Sequence, residues 1–138
     1  MIRPGRTHSQ FLEFFQTRRE QLDIKIPDDE TPLWCKFRRL NLSTAHPILA
    51  RLYDPAQGRP ARAPEDMLRS WLLMLREACH VTSVEVWAQR LRANPLYALL
   101  SGFAPDDVPG VGTFYDFQDR VLQLYDPVLN VECRPRRR

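Results

Sequence analysis

Arginine is the residue type whose chemistry stands out in this 138-residue chain, which holds 18 arginines and only 2 lysines. A guanidinium group donates from a planar fork and can bind phosphate or carboxylate through two hydrogen bonds. The excess equally fits the coding bias of a GC-rich genome, which we weigh more heavily, and surface arginines are usually solvated or paired with acids. The candidate phosphate-binding residues are Arg62, Arg69, Arg90, Arg92, Arg120, Arg134, Arg136, Arg137 and Arg138.

The positive charge is concentrated at the C-terminal end. The formal net charge is +3, and the last five residues alone contribute four arginines. The residues before them therefore sum to about −1 by the same counting, so the body of the chain is not basic. We expect the tail to dominate any nonspecific attraction to a polyanion.

Other side chains with reactive or metal-binding chemistry give weaker patterns. Cys79 and His80 are adjacent, but the three cysteines are widely scattered and no CxxC or HxxxH spacing accompanies them. The acidic runs at residues 28–30 and 106–107 lie in proline-bearing loops, where paired acids are mostly solvated. No turn in the sequence marks a nucleophile. We therefore predict no catalytic residue, no metal, no cofactor and no small-molecule substrate.

Helical spacing of apolar residues predicts the elements that must position these side chains. One helix is expected before Asp23, and two short ones within residues 34–42 and 45–53 of an irregular proline-rich segment. Pro64 begins a further helix with Leu68, Trp71, Leu72, Leu75 and Cys79 on one face. Without period-2 strand pairs or hairpin signals, the prediction is an all-α fold, a small bundle of four to five short helices.

Capping signals predict where the later helices begin and end. Thr82 and Glu85 have capping-box spacing, and the residue before Pro95 should end that helix. A short helix then runs over residues 95–100 and closes at Gly102, which tolerates a positive φ. Thr113 and Asp116 have capping-box spacing for a last helix, whose apolar stripe is Phe114, Phe117, Val121 and Leu124.

The tryptophans have two possible roles. Trp34, Trp71 and Trp87 could stack on bases, but the last two lie on predicted core stripes, so we favour burial for them. A helix-turn-helix interpretation would use residues 82–93 as its first helix and residues 95–100 or 113–124 for recognition. It fits poorly, because residues 95–100 offer almost no polar group for base edges.

Spaced motifs between Pro64 and Arg120 carry a family resemblance. The sequence PEDMLR at residues 64–69 is followed by a leucine-rich helix, Pro95, Gly102-Phe103, the DVP of residues 107–109, and Thr113-Phe114 with Phe117. This order resembles the InsH-type N-terminal domain of DDE insertion-sequence transposases. The chain departs from this family in two ways. Gly110 and Gly112 stand where the family commonly has serine, and the residues around Asp116 and Asp119 are less basic than in the family.

The resemblance implies a helical domain that binds terminal inverted repeats of DNA or assembles the transposase. It also implies that residues 1–124 form this domain, best matched over 60–124, and that residues 125–138 begin an interdomain linker. The catalytic domain would then be missing, leaving a truncated, non-enzymatic transposase fragment whose partners are DNA, a full-length transposase or a second copy. The alternative is a helical protein-interaction module, or a remnant, that does not bind DNA.

The sequence also gives an expectation for cellular location. It has no run of about 18 apolar residues and no secretory signal, so we expect a cytoplasmic protein without membrane partners.

Overall fold

The structure is a computed structural model that describes residues 3–53, 61–76 and 83–125. Over these residues the chain is all-α, with no β-strand, and the predicted fold class is confirmed. The helices are α1 (His8–Gln21), α2 (Thr31–Phe37), α3 (His46–Ala50), α4 (Pro64–Arg76), α5 (Val84–Ala93), α6 (Pro95–Ser101) and α7 (Val111–Tyr125). Both short helices of the proline-rich segment are present, but α2 begins at Thr31, before the predicted range of 34–42, because Pro32 fits the first turn of a helix.

Helix α6 is the centre of the bundle. It packs against α1, α4 and α5, and every residue after Pro95 in it is buried. A helix of seven residues cannot be stable alone, so this burial on all sides is what maintains it. It also leaves residues 96–101 without an exposed face for base edges.

Asn94 connects α5 to α6 without a loop. It is the C-cap of α5 and the N-cap of α6, with extended φ and ψ of −122° and 97°. Its side-chain oxygen accepts hydrogen bonds from the amides of Leu96 at 3.1 Å and Tyr97 at 3.4 Å. At the other end, Gly102 has φ of 101° and closes α6. Both predicted helix ends are confirmed.

The inner face of α4 differs from the prediction. Leu75, which was assigned to the apolar stripe, is 55% exposed, and Leu68, Trp71 and Leu72 are only partly buried. The buried positions are instead Pro64, Glu65, Asp66, Met67, Arg69, Ser70, Leu73 and Met74. The stripe was placed wrongly because polar residues that find partners inside the fold can face a core, and apolarity alone does not reveal them.

Trp87 of α5 joins the core beside α4. Its side chain is fully buried, and its Nε1 donates a hydrogen bond to the Ser70 hydroxyl at 3.0 Å. The predicted burial of Trp87 against α4 is therefore confirmed. Trp34 is half-buried and stacks on Phe15 of α1, with ring centroids 4.0 Å apart.

The starts of α5 and α7 correct two capping predictions. Helix α5 is capped by Ser83, whose hydroxyl accepts from the Val86 amide at 3.2 Å, and Thr82 lies outside the described residues. Helix α7 begins at Val111, so Thr113 lies inside its first turn and cannot be its N-cap. Gly110, a residue tolerated at N-caps, supplies the carbonyl that accepts from the Phe114 amide.

The buried face of α7 agrees with the predicted stripe as far as it is described. Phe114 and Phe117 are buried, and Val121 packs against the core from a partly buried position. Tyr115 ties α7 to α5, because its hydroxyl lies 3.1 Å from both carboxylate oxygens of Glu85. In the described parts of the chain, no helix is long and apolar enough to span a membrane.

Candidate nucleic-acid interface

Arg69, one of the predicted phosphate-binding arginines, lies in the protein core. It is 1% exposed, and its Nη1 donates to Asp66 Oδ1 at 2.7 Å, one turn back on α4. Its guanidinium also lies over the ring of Phe11, 3.9 Å from the centroid, which joins α1 to α4. In this fold Arg69 is an internal ion-pair partner and has almost no surface to offer a ligand.

Burial governs the ionisation of the Asp66–Arg69 pair. It raises the pKa of Asp66 to about 6, with Arg69 and Arg6 acting in the opposite direction. Burial also lowers the pKa of Arg69, which Asp66 partly offsets. Both directions show that desolvation outweighs the attraction within the pair. The Nε and Nη2 atoms of Arg69 have no hydrogen-bond partner among the described residues, which adds to that cost.

The segment before α1 crosses this polar cluster. Arg6 donates to the Gly102 carbonyl at 3.0 Å and lies 3.5 Å from Asp66 Oδ2. Arg3 donates from its backbone amide to the Ala61 carbonyl at 2.7 Å. Gly5 lies so close to the buried Glu65 carboxylate that a Cβ would clash with it. The segment is thereby held in place, with the Arg3 side chain at the edge of the cluster.

His46 provides the partner for Glu65 from α3. The Nδ1 atom of His46 lies 2.6 Å from Glu65 Oε2, and the Glu65 side chain is fully buried. The second Glu65 oxygen has no hydrogen-bond partner in the described parts of the chain. Glu65 and Asp66 therefore anchor α3, α4 and the N-terminal segment to one another.

A cavity of about 400 Å³ brings three arginines together. Arg3 comes from the N-terminal segment, Arg62 from the stretch before α4, and Arg120 from α7. The start of α7, where the first-turn amides have no intrahelical acceptor, also borders the cavity. The other lining residues are Tyr53, Ala61, Met67, Pro109, Gly110, Thr113, Asp116 and Phe117. We call this the arginine cavity.

Arg3 and Arg62 share one carboxylate at the edge of the arginine cavity. Arg62 donates to Asp107 Oδ1 and to the Asp107 carbonyl, each at 2.8 Å, while Arg3 lies 3.5 Å from Asp107 Oδ2. These contacts, led by the hydrogen bond from Arg62, lower the pKa of Asp107. Asp107 is therefore engaged by two arginines of this chain, although the acidic run at 106–107 was expected to be mostly solvated.

Arg120 is the cavity arginine that α7 provides. Its guanidinium lies 4.1 Å from the centroid of the Tyr53 ring, in cation–π geometry. Burial raises the pKa of Tyr53, which Arg120 partly counteracts. The ring face therefore orients Arg120 without neutralising its charge.

The other candidate arginines do not join this cavity. Arg90 and Arg92 lie in the last turn of α5, where positive charge favours the negative end of the helix dipole, and Arg92 is exposed. Neither makes an ion pair or a side-chain hydrogen bond with another described residue. Arg134, Arg136, Arg137 and Arg138 lie outside the described residues, as do Cys79 and His80.

Two members of the cavity were missed by sequence reasoning. Arg3 lies 104 residues from its partner Asp107, and Tyr53 lies in the proline-rich segment far from Arg120. The sequence contained no local signal for either pairing, because both depend on how distant segments pack. In the described ranges, no group of three or more histidine, cysteine or acidic residues is arranged to hold a metal ion.

The arginine cavity has the chemistry of an anion site. Three arginines line this space, and among the described residues Asp116 is the only acid in the lining. Arginine binds phosphate bidentately, so a group with several anionic oxygens could contact more than one of the three. Contacts of this kind position a protein on a nucleic-acid backbone without reading its sequence.

Comparison with known proteins identifies the family. No curated protein and no solved structure shows significant similarity to the chain. A family model described as Transposase domain (DUF772) matches residues 20–120, which include α2 to α6 and most of α7. Arg62 and Arg120 lie inside the match and Arg3 precedes it. Because the match covers most of the chain, this protein belongs to the transposase-domain family DUF772.

Proposed function

We propose that this chain acts in DNA transposition as a non-catalytic domain that holds DNA by its phosphate backbone. The observation that carries the proposal is the convergence of Arg3, Arg62 and Arg120 on one cavity. Family membership supports the role in transposition. The buried acids support binding over chemistry, because Glu65 is already engaged by a hydrogen bond with His46 and Asp66 by an ion pair with Arg69.

Contacts between arginine and phosphate predict DNA binding with little sequence preference. Arginines that meet phosphates supply affinity for any duplex, and preference for terminal inverted repeats requires contacts to base edges in addition. Residues 134–138 carry four further arginines, and we propose that they strengthen attraction to every duplex to a similar degree.

Fluorescence anisotropy with terminal-repeat and random duplexes tests the proposal. The affinity should fall with rising salt, and each lost phosphate contact should reduce the slope of log affinity against log salt by about 0.9. Deleting residues 134–138 should flatten that slope and weaken binding to both duplexes, leaving any preference between them largely unchanged. Absence of binding to either duplex at low salt would contradict the proposal.

A second candidate function is assembly with another transposase chain. Helix α4 carries Leu68, Trp71, Leu72 and Leu75 along one face, and none of them is fully buried by the described residues. An incompletely covered apolar face is a typical protein-contact surface. Sedimentation of the chain alone and with Leu75→Lys would test it, because concentration-dependent association that the substitution abolishes would favour assembly.

A further inference from the structure

Asp107 occupies an unusual position between the arginines of the cavity. It has one carboxylate for two guanidinium groups, Arg3 at 3.5 Å and Arg62 at 2.8 Å, and its side chain is 58% exposed. The Arg62 side chain is only 15% exposed, so its contact with Asp107 is partly shielded from solvent. A single exposed carboxylate leaves the two cations with an excess of positive charge.

Asp107 itself does not line the arginine cavity. It lines a neighbouring cavity of about 200 Å³, to which Arg3 and Arg62 also belong. The two arginines therefore line both spaces, whereas Asp107 lines only the smaller one and Arg120 only the larger one. An anion in the arginine cavity would face the same two guanidinium groups that Asp107 already contacts.

Much of the Arg62 geometry does not depend on the charge of Asp107. Arg62 donates to the backbone carbonyl of residue 107 as well as to its carboxylate, both at 2.8 Å. The ring of Phe103 also supports the Arg62 guanidinium, 5.3 Å from the centroid. An asparagine at 107 would keep the carbonyl acceptor and a side-chain oxygen, and would remove only the negative charge.

We propose that Asp107 is a built-in counter-ion that competes with a phosphate group of DNA for Arg3 and Arg62. The carboxylate offsets part of the positive charge of the two arginines when the cavity is empty, and it repels a phosphate that enters. The proposal rests on the proposed function for the identity of the phosphate source, and it adds a residue that weakens binding. Removing the charge of Asp107 should therefore increase affinity, an effect that damage to the fold would not produce.

The test compares Asp107→Asn with Asp106→Asn in the full chain. Asp106 is exposed, lines neither cavity and carries the same charge one residue away, so it controls for the change in net charge. The probes are inorganic phosphate, followed by NMR chemical shifts, and duplex DNA, followed by anisotropy. We expect Asp107→Asn to tighten both by roughly 3- to 10-fold at low salt, and Asp106→Asn by much less.

A double variant tests whether the affinity gain of Asp107→Asn depends on Arg62. If Asp107 acts through Arg62, the gain should disappear when Asp107→Asn is combined with Arg62→Gln, measured against Arg62→Gln alone. Thermal melts of all four variants establish that each is folded. Duplexes with and without a 5′ phosphate separate a backbone phosphodiester from a terminal phosphate group as the occupant.

The outcomes separate this inference from the proposed function. Equal gains for the two aspartate variants, or a loss for Asp107→Asn, would overturn the counter-ion role. Tighter inorganic phosphate without any duplex binding would support the counter-ion and contradict DNA as its source. Duplex binding that is insensitive to Asp107→Asn would leave DNA binding to other residues and overturn the inference.

Discussion

Two arginine regions of this molecule show how burial decides what a charged side chain does. Arg69 of α4 is buried against α1, with the Asp66 carboxylate as its ion-pair partner and the Phe11 ring beneath its guanidinium. Arg62 and Arg120 instead line a cavity in which Asp116 is the one acid among the described lining residues. The same residue type is therefore part of the core in one region and available to an anion in the other.

The largest effect that tests this contrast is the loss of Arg69. Arg69→Ala should lower the free energy of unfolding by about 3–5 kcal/mol, because it removes the 2.7 Å partner of the buried Asp66 and leaves only Arg6, at 3.5 Å. Chemical denaturation measures this effect, and Arg92→Ala on the exposed end of α5 is the matched control, expected within about 0.5 kcal/mol. Equal effects of the two substitutions would remove the distinction between core and surface arginines.

A comparable loss is expected from Trp87, which packs beside the same cluster. Trp87→Ala should cost about 3–5 kcal/mol, because it opens a cavity and removes the hydrogen bond to Ser70. Trp87→Phe retains most of the volume and should cost less. A melting temperature unchanged in Trp87→Ala would show that the side chain is exposed in solution, which would restore base stacking as its role.

The pH dependence of stability sharpens the account of the Asp66–Arg69 pair. The pKa of Asp66 is raised from 3.8 to about 6, so the folded state binds its proton more tightly than the unfolded state does. The stabilisation from that proton is complete below 3.8 and is lost as the pH rises through 6. The unfolding free energy of the wild type relative to Asp66→Asn should therefore rise by up to about 3 kcal/mol between pH 7 and pH 4. If this free-energy difference did not change with pH, or fell as the pH was lowered, the attraction of Arg69 would outweigh the effect of burial on the pKa of Asp66.

The smallest effects should come from the cavity arginines, and they concern binding instead of folding. Arg62→Gln and Arg120→Gln should each reduce the salt slope of duplex binding by about 0.9 if each contacts one phosphate. Arg90→Gln and Arg92→Gln provide same-charge controls on α5, which lie away from the cavity. If all four substitutions reduced the salt slope equally, DNA contacts would be spread over the protein surface and would not be concentrated at the cavity.

Local signals predicted the fold better than they predicted the site. Asn94, Pro95 and Gly102 fix helix ends through their own backbone preferences, so the boundaries of α6 could be derived from the sequence. The start of α7 could not, because Thr113 has capping chemistry but Gly110 allows the helix to begin earlier.

The inner face of α4 and the arginine cavity depend on distant partners. Arg69 lies on the buried face of α4, where a charged residue is not expected, and it contacts Phe11 of α1 and Asp66 there. Arg62 could be selected from the sequence as a cation, but its pairing with Asp107 spans 45 residues. Composition identifies which side chains are charged, and only packing determines which of them meet.

The loop-free junction at Asn94 makes the bundle sensitive to chain length at that one position. Each residue of an α-helix turns about 100° around the axis, so one inserted residue between α5 and α6 would have to be absorbed as a loop or would rotate α5 by that angle. Rotation would carry Trp87 away from Ser70 and separate Tyr115 from Glu85, so α7 would lose its attachment as well. Insertions should therefore be tolerated far less at Asn94 than in the segment between α6 and α7, where several residues already form turns.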